Sequence, residues 1–373
     1  MHVDRSVIVP YHRNYDMLGF CLKTLQTTLP KDVEIIVVGN NHCAAEIDIK
    51  LPKYVKYYKV YENLFYSAAI NYGVQKATGS ILTFCDPDTF YFCKWYEPLF
   101  DKLMSSPQIG AVSSKLINPL TGRIIDFGMS FTLWNAGHPT KELPYMHPLA
   151  SKDREVQAAC SAVMATRREH YELVGGMDET MPYSHPDCDY CLKLKEHGLQ
   201  TWVVAESKAY HKGSSDSNNS KSYAFNCLSA DSKGMFYAKN YHRITEDLHE
   251  WFAHTIKWAR AQWPQLPSRY FLLDLCTMYN REYYYSAFTQ NGINFFDKKV
   301  INAGVRDADK ISLYHFISLE LIDMAVPFLY FVDSYTSLKD NHLWFRMRDI
   351  SRDIVIDRHG NIFPLSELDN ENC

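Results

Sequence analysis

Apolar and polar positions follow two rhythms along the first hundred residues. Ser6 to Pro10 is a short β-branched apolar run, and after a polar turn Leu18, Cys21, Leu22 and Leu25 recur at helical spacing, which predicts strand, loop and helix. Val33 to Val38 is a second continuous apolar run, Val55 to Val60 a weaker third and Ile81 to Cys85 a fourth, with an Ala-rich helix over Ser67 to Ala77 before the last. Strands apolar on both faces, alternating with helices, imply an α/β fold with a mostly parallel sheet flanked by helices. Ligands in such sheets lie beyond the carboxyl ends of the strands. Three polar loops follow those ends, Tyr11 to Asn14, Gly39 to His42 and Asp86 to Thr89, so the candidate site is where they converge.

After Val112 the pattern loosens into short strands and turns, with Asn118 to Gly122, Ile124 to Phe131 and an apolar strand from Val156 to Ala165. This region reads as an inserted acceptor-side half. Arg167 to Val174 predicts a short helix stopped by Gly175-Gly176, and Asp187 to His197 a second one ended by Gly198. Two strands follow, Thr201 to Ala205 and Ser207 to His211. From Gly213 to Ser222 the chain is small and polar, which places a domain boundary there and gives domains of 1–222 and 223–373. Beyond it the sequence is aromatic-rich and reads as mainly helical, with Tyr283-Tyr284-Tyr285 and the basic stretch Arg346 to Arg352 as its most distinctive features. The apolar segment Ile311 to Val332 contains His315, Glu320, Asp323 and Pro327, so it reads as a buried or amphipathic helix and not as a membrane span.

Composition narrows the classes. At 373 residues, 46% hydrophobic and 22% charged, the chain is long enough for two globular domains. Its 39 basic and 43 acidic residues leave a net charge of −4, which argues against a nucleic-acid partner. The ten cysteines are scattered, and Cys188 and Cys191 have no second pair at zinc spacing, so free thiols are expected. Nothing near Met1 reads as a secretory signal, which points to the cytoplasm.

Asp86-Pro87-Asp88 places two carboxylates at a strand end, an outline that suits Mg2+ or Mn2+ but also an ordinary polar turn. His211 ends another predicted strand and opens the loop His211-Lys212-Gly213, where it serves either as a ligand or as a structural histidine. Asp187 and Asp189 begin a helix, where either caps the exposed amides or serves as general base. Tyr11 and His12 follow the first strand, in a place to stack on a nucleotide base.

Taken in order, these pieces resemble glycosyltransferase family two, over Ser6 to about Ser215. Ser6-Val7-Ile8-Val9-Pro10-Tyr11 is similar to the family's opening strand, and Glu62-Asn63 with Ala68, Asn71 and Gly73 to the segment before its metal motif. Asp86-Pro87-Asp88 stands where the family keeps Asp-x-Asp, and Gly175-Gly176-Met177-Asp178-Glu179 resembles the Gly-Gly-Phe-Asp-Glu before the acceptor helix. Asp187-Cys188-Asp189 resembles the second half of Glu-Asp-x-Asp, and His211 matches the late histidine that completes the metal shell. Two positions depart from the pattern: Gly39-Asn40-Asn41 replaces an aspartate that recognises the base, and Pro186 replaces the glutamate before Asp187.

The resemblance implies a GT-A (Rossmann-like) catalytic domain and an inverting, divalent-metal-dependent glycosyltransferase. It implies Mn2+ or Mg2+ held by Asp86, Asp88 and His211, and a nucleotide-sugar donor, a UDP-sugar favoured, contacted by Pro10, Tyr11, His12, Asn40, Glu62, Asn71, Asp86 and Lys212. Asp187 would be the general base and Asp189 the secondary candidate. The implied acceptor is a saccharide or glycolipid in surface-glycan synthesis, at the cytoplasmic side and with room for peripheral membrane association. The 223–373 domain would serve acceptor binding, oligomerisation or membrane attachment. Two other classes stay open: a non-catalytic binding or scaffold protein of the same fold, favoured by Pro186 and Gly39, and a nucleotidyltransferase, which the Asp187 and His211 segments oppose.

Overall fold

The computed structural model describes residues 4–12, 15–40, 51–133, 135–213, 223–277, 280–301, 313, 324–338 and 341–370. The chain divides into two compact units, one of Met1–His138 with Leu143–Thr245 and one of Pro139–Glu142 with Glu246–Cys373.

In the first unit the elements run β1 (Arg5–Tyr11), α1 (Tyr15–Thr28), β2 (Glu34–Gly39), β3 (Val55–Lys59), α2 (Phe65–Lys76), β4 (Ile81–Cys85), β5 (Thr89–Tyr91), α3 (Tyr96–Met104), β6 (Ile109–Ile117), β7 (Ile124–Asp126), β8 (Ser130–Phe131) and β9 (Ala136–Gly137). They continue with β10 (Arg154–Val156), β11 (Val163–Arg167), α4 (Arg168–Leu173), α5 (Pro186–Glu196), β12 (Gln200–His211) and α6 (Tyr223–Asn240). The ten-stranded sheet has the order β10-β12-β6-β11-β4-β1-β2-β3, with β5 added to β12 and β7 to β6. It is parallel across β3-β2-β1-β4, as the alternating pattern predicts, and mixed beyond β4, where β11 runs antiparallel to both β4 and β6.

The apolar rhythm explains this half of the molecule. Every residue of β4 is buried, and α1 buries Leu18, Cys21, Leu22 and Leu25, the face its spacing predicts. Strand β3 lies at the sheet edge, only half buried, and its Lys56 and Lys59 discourage further pairing. Helix α2 approaches β1 so closely that any Cβ at Gly73 would collide with the Ile8 side chain.

Three expectations need correction here. The strand predicted over Val156 to Ala165 is two strands, β10 and β11, because the intervening Gln157 to Ala162 leaves the ladder and binds site residues. The two strands predicted between Thr201 and His211 are one, β12, with a register shift between Val204 and Lys208. The domain boundary lies at Thr245, not Ser222, because α6 belongs to the first unit: Asn240 Nδ2 donates to Asp189 at 2.8 Å and Lys239 pairs with Asp178 at 2.6 Å. Residues 214–222 themselves, with the rest of the predicted linker after Gly213, lie outside the described residues, as do 13–14 and 41–42 of the first two polar loops.

The second unit holds α7 (Leu248–Gln262), β13 (Arg269–Asp274), α8 (Arg281–Gln290), β14 (Asn294–Val300), β15 (Phe328–Val332), β16 (Ile354–Asp357) and β17 (Ile362–Pro364). It was expected to be mainly helical, yet it carries a five-stranded sheet of order β14-β13-β15-β16-β17, parallel except for the last pair. Its central strands are short runs buried at nearly every position, and such runs carry no alternation to separate a strand from a buried helix. Phe328 to Val332 is accordingly β15, not the end of a helix, while 311–312 and 314–323 lie outside the described residues. Tyr284 and Tyr285 of α8 are buried, and within the basic stretch Arg348 is buried in a two-pronged ion pair with Asp353, at 2.8 and 2.9 Å.

Among the described residues no helix is long and apolar enough to cross a membrane. The eight described cysteines are free thiols.

Candidate metal and catalytic site

Strand β4 ends at Cys85, and the next two acids are held by backbone. The Asp86 amide donates to the Ala162 carbonyl at 2.8 Å, and the Asp86 carbonyl accepts from Thr89 through its amide and its hydroxyl at 3.2 and 2.7 Å. Thr89 then opens β5, which pairs antiparallel with the end of β12 so that His211 stands opposite Thr89. The Lys212 amide closes the arrangement by donating to the Asp88 carbonyl at 3.1 Å. Residues more than a hundred positions apart thus meet: His211 Nε2 is 3.3 Å from Asp88 Oδ1 and 3.6 Å from Asp86 Oδ2.

Among the described residues, Asp86, Asp88 and His211 form the one group of three able to converge on a cation, with ligand atoms within 4.8 Å of one another. Two carboxylates and an imidazole fit a hard or borderline divalent ion such as Mn2+ or Mg2+, with coordination positions left for substrate oxygens and water. The electrostatics agree. Burial disfavours a charged His211 ring, but the hydrogen bond and charge of Asp88, and then the charge of Asp86, outweigh it and raise the pKa. A ring that attracts a proton between two carboxylates marks a place that favours positive charge.

Asp187 lies in the first turn of α5, half-buried, where its Oδ2 accepts the Ser161 amide at 3.2 Å and its Oδ1 the Cys188 amide at 2.9 Å. Burial raises its pKa above the ordinary carboxylate range, the two amides pull it back, and the charge of Asp126 adds to the rise. Ser161 also bonds Tyr66, Oγ to Oη at 2.7 Å, and the Tyr66 phenol feels the charges of both Asp86 and Asp187. Two residues before Asp187, His185 at the helix start takes a left-handed backbone with φ 68°. That conformation turns the chain into α5 just where Pro186 fixes the first helical residue.

Asp189 faces elsewhere. It is buried, accepts from Asn240 at 2.8 Å, and pairs with Lys193 at 3.2 Å and Arg243 at 4.0 Å. None of these partners belongs to the acidic cluster.

The residues expected around the donor divide in two. Lys212 is exposed beside the cluster, Glu62 is exposed, and His12 is partly exposed with Nδ1 3.2 Å from the Asn40 carbonyl. By contrast, Pro10 is buried in β1, and Tyr11 is 4% exposed and packs in the main core with Leu18 and Cys21, which leaves little ring surface for a base. Asn40 is a clamp: Oδ1 accepts the Leu64 amide at 2.6 Å and Nδ2 donates to Phe65 O at 3.2 Å, tying the end of β2 to the turn before α2. Asn71 clamps the Gly175-Gly176-Met177 turn, with Nδ2 on Met177 O at 2.9 Å and Oδ1 on the Met177 amide at 3.1 Å. The asparagines thus position the site's frame from within the fold.

Sequence reading missed Asp126, His138 and the segment Cys160-Ser161-Ala162. Asp126 is buried at the end of β7 with Oδ1 3.0 Å from His138 Nδ1. A lone acid between Ile125 and Phe127 was its available signal, since an acid in an apolar run needs a partner.

Residues 6–172 match the family model described as Glycosyl transferase family 2. The chain is 29% identical over 219 residues, 55% of its length, to the O-antigen biosynthesis protein RfbC of Myxococcus xanthus, of which it spans 17%. It is similar to the crystal structure of GalNAc-T7 with UDP, GalNAc and Mn2+, with TM-score 0.47 and 17% identity over 56% of this chain and 44% of that one. A second likeness is the mannosyltransferase PcManGT from Pyrobaculum calidifontis in complex with GDP-Man and Mn2+, with TM-score 0.41 and 16% identity over 57% of each chain. Residues 6–172, which hold β4 and the Asp86/Asp88 pair, are thus the part of the chain that resembles glycosyl transferase family 2.

Proposed function

We propose that the first unit transfers a sugar from a nucleotide-diphosphate donor, a UDP-sugar favoured, to a hydroxyl of a saccharide or glycolipid acceptor with inversion. The observation that carries this reading is the convergence of Asp86, Asp88 and His211 on one end of the sheet, joined through Cys160-Ser161-Ala162 to Asp187. The likeness to an O-antigen biosynthesis protein supports an acceptor of surface-glycan synthesis.

Asp86, Asp88 and His211 would hold Mn2+ or Mg2+, whose charge would offset the charge that develops on the departing diphosphate. The chain's own residues supply the rest. Asp187 takes the proton of the acceptor hydroxyl as its oxygen bonds to the anomeric carbon, while the bond from that carbon to the diphosphate breaks and its electron pair leaves with the phosphate. Its raised pKa keeps it basic enough to accept that proton, and the two amide hydrogen bonds fix its direction. Lys212, exposed next to Asp88, reaches for the phosphates, and Asp189 holds α6 against α5 without touching substrate.

The test is thermal unfolding of the full chain with UDP, GDP and dTDP, each with Mn2+ or with chelator. A diphosphate at a hundred times its dissociation constant stabilises by about 2.7 kcal/mol, so a metal-dependent rise with one nucleotide supports the reading. No shift with any nucleotide contradicts it.

A further inference from the structure

Asp126 and His138 form a pair that the transfer step above does not use. Asp126 Oδ2 accepts from the Gly128 amide at 3.2 Å and the Cys160 amide at 3.4 Å, and its Oδ1 meets His138 Nδ1 at 3.0 Å. Burial alone would push its pKa up, but His138 and the two amides outweigh burial and hold the carboxyl below its ordinary value, so it stays charged. A hydrogen bond to a carboxylate places the imidazole proton on Nδ1, and Nε2 then carries a lone pair whenever the ring is neutral. The Asp126 side chain is 3% exposed and that of His138 29%, so the imidazole is the part of the pair that reaches outward.

The pair stands beside Asp187. Cys160 donates its amide to Asp126 and the next residue, Ser161, donates its amide to Asp187, so the two carboxylates hang from neighbouring peptide units about 3.5 Å apart along the chain. His185 completes the neighbourhood: its ring stacks on Phe236 at 4.9 Å and is near enough to His138 for their charges to oppose each other. A proton acceptor beside an oriented, partly exposed imidazole has the chemistry of a sugar-binding subsite.

Resting on the reading of Asp187 as base, we propose that His138, oriented by Asp126, contacts the acceptor and binds the hydroxyl next to the one Asp187 deprotonates. The pair thereby selects acceptors with two neighbouring hydroxyls. Asp126 is a positioning residue, because it acts through the ring it holds.

The test uses the full chain with Mn2+ and the nucleotide sugar it hydrolyses fastest. Glycerol, which has vicinal hydroxyls, and methanol, which has one, serve as probe acceptors, and mass spectrometry measures each glycoside formed. The wild type is expected to glycosylate glycerol in preference to methanol, counted per hydroxyl. His138→Gln and Asp126→Asn should each lower that ratio about tenfold, the worth of one hydrogen bond to an oriented partner. A merely structural pair would slow both products alike and leave the ratio unmoved, as would a wild type without preference, and either result overturns the proposal. Should Asp126→Asn fail to fold, His138→Gln decides by itself, since its ring is partly exposed. A wild type that hydrolyses no nucleotide sugar at all defeats the transferase reading together with this one, whereas hydrolysis with an unmoved ratio defeats this one only.

Discussion

Asp86 and Asp187 hang from adjacent residues of one strand-free segment: the Asp86 amide donates to Ala162 O at 2.8 Å, and Asp187 Oδ2 accepts the Ser161 amide at 3.2 Å. The groups proposed for metal binding and for proton transfer therefore share a single backbone support. A shift of that support would move both together.

Asp187→Asn should cut sugar transfer by about 10²- to 10⁴-fold while nucleotide binding persists, because asparagine keeps the side chain's shape and accepts one of the Ser161 and Cys188 amides through its single oxygen but cannot take a proton. The sign of the stability change also follows. Burial raises the folded-state pKa, so the folded chain holds this proton to higher pH than the unfolded chain, and ionised Asp187 costs stability above its folded pKa. Removing that buried charge offsets the amide hydrogen bond that the Asn nitrogen cannot accept, so the variant should melt close to the wild type at pH 7.5, by calorimetry. A variant that transfers sugar at the wild-type rate removes Asp187 from the mechanism.

The same shift predicts the acid limb of the rate. Transfer needs ionised Asp187, so the rate should fall with decreasing pH at a midpoint above the value of about 3.9 for a free aspartate. A pH profile of donor turnover, taken at saturating Mn2+, locates that midpoint.

Asp189→Ala should act on stability before chemistry. It removes the acceptor of the Asn240 amide and leaves Lys193 with the Gly176 carbonyl but no counter-charge there, and breaking a buried ion pair from one side costs roughly 3–5 kcal/mol, which urea unfolding would read directly. Asp189→Asn, measured per folded molecule, should keep most of its turnover.

A chain ending after Thr245 should fold with a cooperative melt, whereas one ending at Ser222 should melt lower or aggregate. The shorter chain loses Asn240, Lys239 and Phe236, which bind Asp189, Asp178 and His185. Circular dichroism on both chains separates the cases.

How much could be read from the sequence varied with the range of the contacts. The strands β1, β2 and β4 and the buried face of α1 were legible, since local periodicity is what burial on one or both faces imposes. Asp86, Asp88, Asp187 and His211 were legible as candidates because each stands where a strand ends or a helix begins. Their meeting was not, because it depends on β5 pairing with the end of β12. Asn71 reads like any helical asparagine until the Gly176 turn is folded over it. His138 and Asp126 lie twelve residues apart across short strands, a distance at which no periodicity speaks. The sheet of the second unit was hidden because β13, β15 and β16 are apolar on both faces.

The most direct measurement is calorimetric titration of UDP, GDP and dTDP into the wild type and Asp88→Ala, each with Mn2+ and with chelator. Asp88 lies at a strand end with its carbonyl tied to the Lys212 amide, so its side chain can be removed without unfolding the chain. The account predicts binding of one nucleotide to the wild type with Mn2+, lost on chelation and lost in a folded Asp88→Ala. Equal nucleotide affinity in all four conditions would contradict it.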